Sequence, residues 1–380
     1  MAIVLGVVLA TNAVCATGGV VAQTKQTPTP ASPKPVLRFR ADGTFKIVQF
    51  TDTHYQIRNG KNGKSLVGTE ETLAHLREAL EAERPDLVVF TGDNVLTRPQ
   101  KRGWDDLLDV PERLGIPYAV VLGNHDDEHD WNRVQILQYV SAKPHCLAVR
   151  GPAELPGAGN YALPIGGKDG ATADAATTAT APAAVVYCFD SHSYRRVGKK
   201  RFPGYDYIRV EQVAWYRGQS AAFTQANGGK PLPALAFFHI PLQEYALLHV
   251  PADKGRYAGA ERFYASKSPV FGTVTKKPGA GWLNGGAFAA FVECGDVMGV
   301  FVGHDHNNDY VGSHNGVALG FGRCGGHIKS TNNHLGLGSR VFVLREGKRE
   351  FETWLREASG KTLWRVSFPK SFASASPSKI

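Results

Sequence analysis

The chain has 380 residues, 43% of them hydrophobic, with 42 glycines and 22 prolines. That is enough to bury a full core in one large domain or two smaller ones, and the glycine content suits a loop-rich α/β or β-rich enzyme better than a helical bundle. The net charge of +9 is spread along the chain without the aromatic-interleaved basic stripe of a nucleic-acid binder, so it is compatible with anionic ligands and predicts no nucleic-acid partner.

Residues 1–22 are almost wholly apolar, and Ile3–Ala10 has the length of a signal-peptide core rather than of a spanning helix. No Lys or Arg precedes the run, while Val14-Cys15-Ala16 and Val20-Val21-Ala22 offer small-residue cleavage sites. The expectation is an exported protein, periplasmic or secreted, with no stable membrane span after signal removal. Loss of Cys15 would leave Cys146, Cys188, Cys294 and Cys324, which permits two disulfides in three pairings. Cys188 and Cys294 lie in or beside apolar runs, as buried thiols would. Residues 23–36, rich in Pro and Thr, read as a disordered linker. The folded domain is expected over 37–368 and a flexible tail over 369–380.

Leu73, Leu76 and Leu80 recur at helical spacing within Thr69–Arg84, with Pro85 as the stop. A strand at Phe45–Phe50, this helix and a strand at Leu87–Thr91 make a crossover unit, which predicts parallel pairing. Trp104–Leu114 repeats the device before a strand at Tyr118–Leu122, and Trp131–Val140 reads as a helix after it. Gly166–Ala183 is low-complexity Ala/Thr sequence between two strand-like runs, a surface excursion. Strands follow at Val185–Phe189 and Ala234–Phe238, with a helix at Val210–Ala222 between them. Lys254–Gly281 is expected to cover one rim of the site, and Val317–Phe321 and Arg340–Leu344 read as closing strands.

Five short apolar runs end in His, Asp or Asn: Asp52-Thr53-His54, Gly92-Asp93-Asn94, Gly123-Asn124-His125-Asp126, His239, and Gly303-His304-Asp305-His306. Groups at the carboxyl ends of neighbouring strands can converge on one crevice. Strand periodicity puts residues i and i+2 on one side, which aims Asp52 with His54 and His304 with His306. Asp52, His54, Asp93, Asn124, His239, His304 and His306 are oxygen and imidazole donors without a thiolate, suited to Zn, Mn or Fe. Seven donors exceed one four-coordinate ion and match two ions that share a carboxylate.

This ordered set resembles the calcineurin-like metallophosphoesterase superfamily, whose motifs run D-x-H, G-D, G-N-H-[DE], H and G-H-x-H. The stretches FKIVQFTDTH, PDLVVFTGDN, VLGNHDDE, ALAFFHIPLQEY and VFVGHDHNNDY are similar to the purple-acid-phosphatase-like subgroup of fungi and plants that keeps an Asp-x-His first motif. The resemblance covers about residues 45–345. It implies a four-layer α/β/β/α sandwich of two mixed β-sheets, where pattern alone predicts an α/β chain with a strand-rich second half. It also implies that one metal takes Asp52, His54 and His306, the other Asn124, His239 and His304, with Asp93 bridging and a hydroxide between the ions as nucleophile. Purple acid phosphatases proper carry a Tyr ligand shortly after G-D. Asn94, Val95 and Leu96 stand there, so tyrosinate colour is not expected. His125 would lie near the leaving-group oxygen as a general acid or electrostatic stabiliser. Asp126 is the candidate to orient it.

The implied activity is hydrolysis of a phosphate ester on a phosphorylated small molecule or protein, with monoesters preferred. The alternatives are a phosphodiesterase or nucleotide hydrolase on the same site, and a non-catalytic scaffold with the same fold. His192, Tyr245, Asn308, Asp309, Arg323 and His327 are secondary candidates for pocket-lining or loop-bracing roles, and His129 reads as a solvated loop residue.

Overall fold

Strand β1 (Thr44–Phe50) is buried over its last four residues because its sheet is covered on both faces. β2 (Leu87–Thr91) and β3 (Tyr118–Val121) are buried throughout and pair with it in parallel, as the crossover helices α1 (Val67–Glu83) and α2 (Gln100–Arg113) require. The structure, a computed structural model, describes residues 33–57, 67–169, 182–197, 200–248, 268–326 and 334–373. The expected signal peptide, residues 23–32 of the linker, the end of the tail, His327 and part of both the 166–183 and 254–281 segments lie outside the described residues. No helix among the described residues is long and apolar enough to cross a membrane.

After α3 (Arg133–Val140), the chain runs through β4 (Tyr161–Gly166), β5 (Pro182–Cys188), the hairpin β6 (Tyr194–Val197) and β7 (Lys200–Tyr205), α4 (Val210–Ala226), β8 (Ala234–Phe237), α5 (Ala287–Cys294), β9 (Val297–Val302), β10 (Val311–His314), β11 (Val317–Phe321), β12 (Gly338–Arg345), β13 (Phe351–Glu357) and β14 (Thr362–Phe368). One sheet has the order β14-β13-β12-β1-β2-β3 and the other β10-β11-β9-β8-β5-β4, while β6 and β7 pair only with each other. Both large sheets are mixed: β12 runs antiparallel to β1, and β8 and β9 run parallel within the second sheet.

The two sheets pack face to face through aromatic side chains. Phe301 of β9 lies 4.4 Å, ring centre to ring centre, from Phe342 of β12, and Phe237 of β8 lies 5.6 Å from the same ring. Helices cover the outer faces. His75 of α1 meets Phe50 of β1, while Tyr216 of α4 and Phe291 of α5 pack on Tyr187 and Phe189 of the second sheet. This is the four-layer sandwich. The runs at Val317–Phe321 and Arg340–Leu344 are inner strands rather than closing ones. β13 and β14 extend the first sheet beyond β12, and β11 sits between β9 and β10. Glu352 and Arg356 interrupt the apolar pattern of β13, and in β14 the alternation breaks at Trp364, which takes left-handed backbone at φ 51°.

The permitted disulfides do not form. Cys146, Cys188, Cys294 and Cys324 are free thiols. Cys188 is buried within β5 and Cys324 beside the Asp52 carbonyl, where packing rather than cross-linking occupies them.

Candidate metal centre

Because β1, β2, β3, β8 and β9 are mutually parallel within their sheets, each ends where a motif begins. The aiming of the donors departs from simple strand alternation. Asp52, His54, Asp93 and His304 follow the strands with left-handed backbone, at φ 51°, 40°, 51° and 75°. Such angles cost about 1–3 kcal/mol for a residue with a side chain and persist where surrounding contacts enforce them. Here the Asp52 amide donates to the Gly92 carbonyl, the His54 amide to the Asp93 carbonyl, and the Gly303 amide to the His239 carbonyl. Two glycines are demanded by close approach: a Cβ at Gly123 would overlap the Asp93 carboxylate, and one at Gly303 the Thr51 hydroxyl.

Ligand atoms of Asp52, His54, Asp93 and His306 lie within 4.8 Å of one another, as do those of Asp93, His239 and His304. Asp93 belongs to both groups. Its Oδ1 accepts the His125 amide at 2.8 Å, and its Oδ2 lies 3.6 Å from His54 Nε2 and 3.2 Å from His239 Nε2. Asp52 Oδ2 accepts the Thr51 hydroxyl, the His304 amide is shared by both carboxylate oxygens, and Oδ1 faces His306 Nε2 at 3.3 Å. His54 and His306 point their Nε2 atoms at each other across 3.1 Å. His239 Nδ1 donates to the Thr91 carbonyl, which fixes the ring with Nε2 inward.

Within the donor set, the buried atoms His239 Nε2 and Asn124 Oδ1 have no hydrogen-bond partner among the described residues. Buried polar atoms are nearly always satisfied, and these two are donor atoms of the expected second ion. Burial lowers His54 to about 4 and His304 to about 3, so both present neutral imidazole lone pairs. Burial opposes ionisation of Asp52, yet the His306 hydrogen bond and the neighbouring imidazoles hold it at about 2. Burial likewise opposes charge on His239, and the Asp93 carboxylate overrides it and raises the imidazole to about 9. The pocket therefore favours positive charge between Asp93 and His239. The donor set, its two groups sharing one carboxylate and the unsatisfied inward atoms fit a pair of cations.

The neighbours of the centre correct one expectation. Asp126 does not orient His125. Its carboxylate accepts the amides of Asn94, Val95 and Gly123 and the Asn94 side chain, so it staples the loop after β2 to the loop after β3. Burial and the charge of Asp93 raise it to about 6 against those hydrogen bonds. The partner of His125 is Glu128, with Nδ1 and Oε2 2.7 Å apart. Asn124 Nδ2 donates to the Tyr194 hydroxyl at 3.4 Å, which turns its Oδ1 inward, and Tyr205 stands edge-on to His304 with ring centres 4.2 Å apart. Arg133 donates to the Leu122 and Gly123 carbonyls and pairs with fully buried Asp190. Glu128 is contiguous with the third motif and could have been found there; nothing local marks Arg133, Tyr194 or Tyr205.

The secondary candidates brace the scaffold. His192 Nε2 is 2.9 Å from Gln212 Oε1, and Tyr245 donates to the Val300 and Gly320 carbonyls. Arg323 pairs with Asp309 and Glu357. Asn308 and Asp309 accept the amides of Thr275 and Thr273, so the described end of the 254–281 segment does pack on the final motif. His129 is partly exposed in its loop.

The sequence profile of the family described as calcineurin-like phosphoesterase matches residues 45–308. Two Arabidopsis thaliana proteins are similar over most of their length. One, named probable inactive purple acid phosphatase 28, is 30% identical over 85% of this chain and 80% of its own; the other, probable inactive purple acid phosphatase 29, is 30% identical over 87% and 84%. Phosphatase DCR2 of Saccharomyces cerevisiae is 29% identical over 71% of this chain and 45% of its own. Among solved structures, a dimetal phosphatase from Danio rerio shares the fold at a TM-score of 0.53 and 12% identity, covering 87% of this chain and 99% of that one. The chain belongs to the calcineurin-like phosphoesterase family.

Proposed function

We propose that the chain hydrolyses phosphate monoesters at a centre of two metal ions. The observation that carries this reading is the division of labour within Asp93, whose Oδ1 is tied to the loop while Oδ2 lies between the two donor groups. Asp52, His54 and His306 would hold one ion and Asn124, His239 and His304 the other, with Asp93 common to both. Ions held there would activate a water and neutralise phosphoryl oxygens. His125 stands partly exposed at the edge of the centre, its ring centre 5.6 Å from that of His54. From there it can reach the leaving-group oxygen and protonate it, and Glu128 holds its Nδ1 so that Nε2 is the atom presented. Monoesters are preferred because the hairpin beside the centre is cationic, which suits a dianion.

The names of the Arabidopsis relatives favour a second reading, a centre that binds phosphate without turning it over. Every donor of the set is nevertheless present in this chain. The test is hydrolysis of para-nitrophenyl phosphate and bis-para-nitrophenyl phosphate by protein loaded with Mn, Zn or Fe, with Asp93→Ala and His125→Ala in parallel. Metal-dependent monoester cleavage that collapses in Asp93→Ala supports the proposal. Faster diester cleavage moves it to a phosphodiesterase. No turnover of either ester by protein that demonstrably carries two ions counts against the proposal and favours the silent reading.

A further inference from the structure

The strands of the hairpin β6–β7 carry four basic residues between Tyr194 and Phe202: Arg195, Arg196, Lys200 and Arg201. Its base is built into the metal centre through Tyr194 against Asn124 and Tyr205 against His304. The two phenol rings stack with centres 5.7 Å apart, so the hairpin is anchored at the site by both of its strands. The Arg201 guanidinium lies over the Tyr194 ring at 3.4 Å, and the centre of the same ring is 6.2 Å from that of the His125 imidazole. Arg195 lies over Phe202 and Trp282, and Lys200 over Phe202 from its own strand.

These cations are positioned on aromatic faces rather than by carboxylates. Among the described residues no acidic group lies within 4.0 Å of Arg195, Arg196, Lys200 or Arg201. Two acids beside the hairpin are engaged elsewhere, Asp206 with Arg209 and Glu128 with His125. Arg195 Nε is buried and unpartnered, and Arg195, Arg196 and Arg209 line a cavity of about 220 Å³ along with Phe202, Tyr207 and Asp206. Guanidinium groups held flat and uncompensated are suited to phosphate. Like charges this dense in one hairpin repel one another, and the fold retains them next to a phosphate-ester site.

We infer that the substrate carries a second phosphate group, bound by Arg196 and Arg201, which pair across the hairpin on the face that carries Tyr194, while the first sits at the metals. The inference rests on the phosphatase reading for the identity of the first phosphate. It assigns the hairpin to substrate choice rather than to the chemical step.

The test compares kcat/KM of the metal-loaded chain for propane-1,3-diyl bisphosphate and propyl phosphate. The bisphosphate should be favoured by about tenfold or more at low salt, and the preference should shrink as ionic strength rises. In the double variant Arg196→Ala, Arg201→Ala the ratio of the two substrates should approach one. Equal values in the parent protein, or a preference that survives both substitutions, would overturn the inference. A parallel titration with the non-hydrolysable propane-1,3-diylbisphosphonate and propylphosphonate needs no turnover. Tighter, arginine-dependent bisphosphonate binding by a protein that hydrolyses nothing would sustain the hairpin's role while refuting the phosphatase reading. Hydrolysis of para-nitrophenyl phosphate without any bisphosphonate preference would do the reverse.

Discussion

Asp126 Oδ1 accepts the Asn94 amide at 2.8 Å, joining two motifs that are 32 residues apart in sequence. The same carboxylate takes the Val95 and Gly123 amides, so one buried side chain sets the spacing of the Asp93 and Asn124 loops. Asp126→Ala would strand three buried N–H groups, each costing about 1–3 kcal/mol. The expected loss in urea unfolding is on the order of 4 kcal/mol, with weaker metal binding. Asp126→Asn should lose less, because one amide oxygen still accepts. A loss below about 1 kcal/mol would show that water replaces the carboxylate.

His125 and Glu128 allow a graded kinetic prediction. Removal of a general acid lowers rate by about 10²–10⁴-fold, so His125→Ala should reduce kcat on para-nitrophenyl phosphate into that range with metal content unchanged. Glu128→Gln keeps the contact and removes the charge, and is expected to reduce kcat by about tenfold while leaving KM alone. A Glu128→Gln protein with parental kcat would mean that the carboxylate only decorates the rim.

Arg133 and Asp190 form a buried ion pair under the third motif. Breaking such a pair from one side costs about 3–5 kcal/mol because the remaining charge has no partner. Arg133→Met and Asp190→Asn should each destabilise the chain to that degree, and the double variant should cost less than the sum of the two. Additive effects in a double-mutant cycle would mean that Arg133 acts chiefly through the Leu122 and Gly123 carbonyls.

The thiols make a chemical prediction. Burial pushes Cys146 and Cys188 up to about 12, so both stay protonated, and thus unreactive, at every pH below that value. At pH 8 iodoacetamide should label native protein at Cys294, which is partly exposed, and leave Cys146, Cys188 and Cys324 untouched. All four should label in denaturant without prior reduction. A requirement for reductant would show that a disulfide forms after all.

Much of the centre was legible because each motif follows its own strand in sequence. An apolar run that ends in Asp or His carries both the scaffold and the chemistry within about ten residues, and the crossover helices imply the parallel order that brings three such ends together. The backbone conformation of the donors was not legible. Left-handed angles at Asp52, His54, Asp93 and His304 are imposed by amides donated across strands, and no local pattern of side chains announces them. β13 and β14 are not legible as strands because charges interrupt the first and a left-handed Trp364 breaks the alternation of the second.

The sequence by itself determined which atoms can bind metal, the order in which they arrive and the strands that carry them, because those are properties of contiguous segments. Only the tertiary structure decided which acid serves which neighbour. Asp126 stands next to His125 in the chain, yet it turns into the core to satisfy backbone amides of another loop, while Glu128 reaches the imidazole. Tyr194, Tyr205 and Arg201 come to the site on a hairpin some seventy residues beyond the third motif. The reason is physical: a buried carboxylate takes the most hydrogen-bond donors within reach, and in a folded chain those are set by packing rather than by sequence distance.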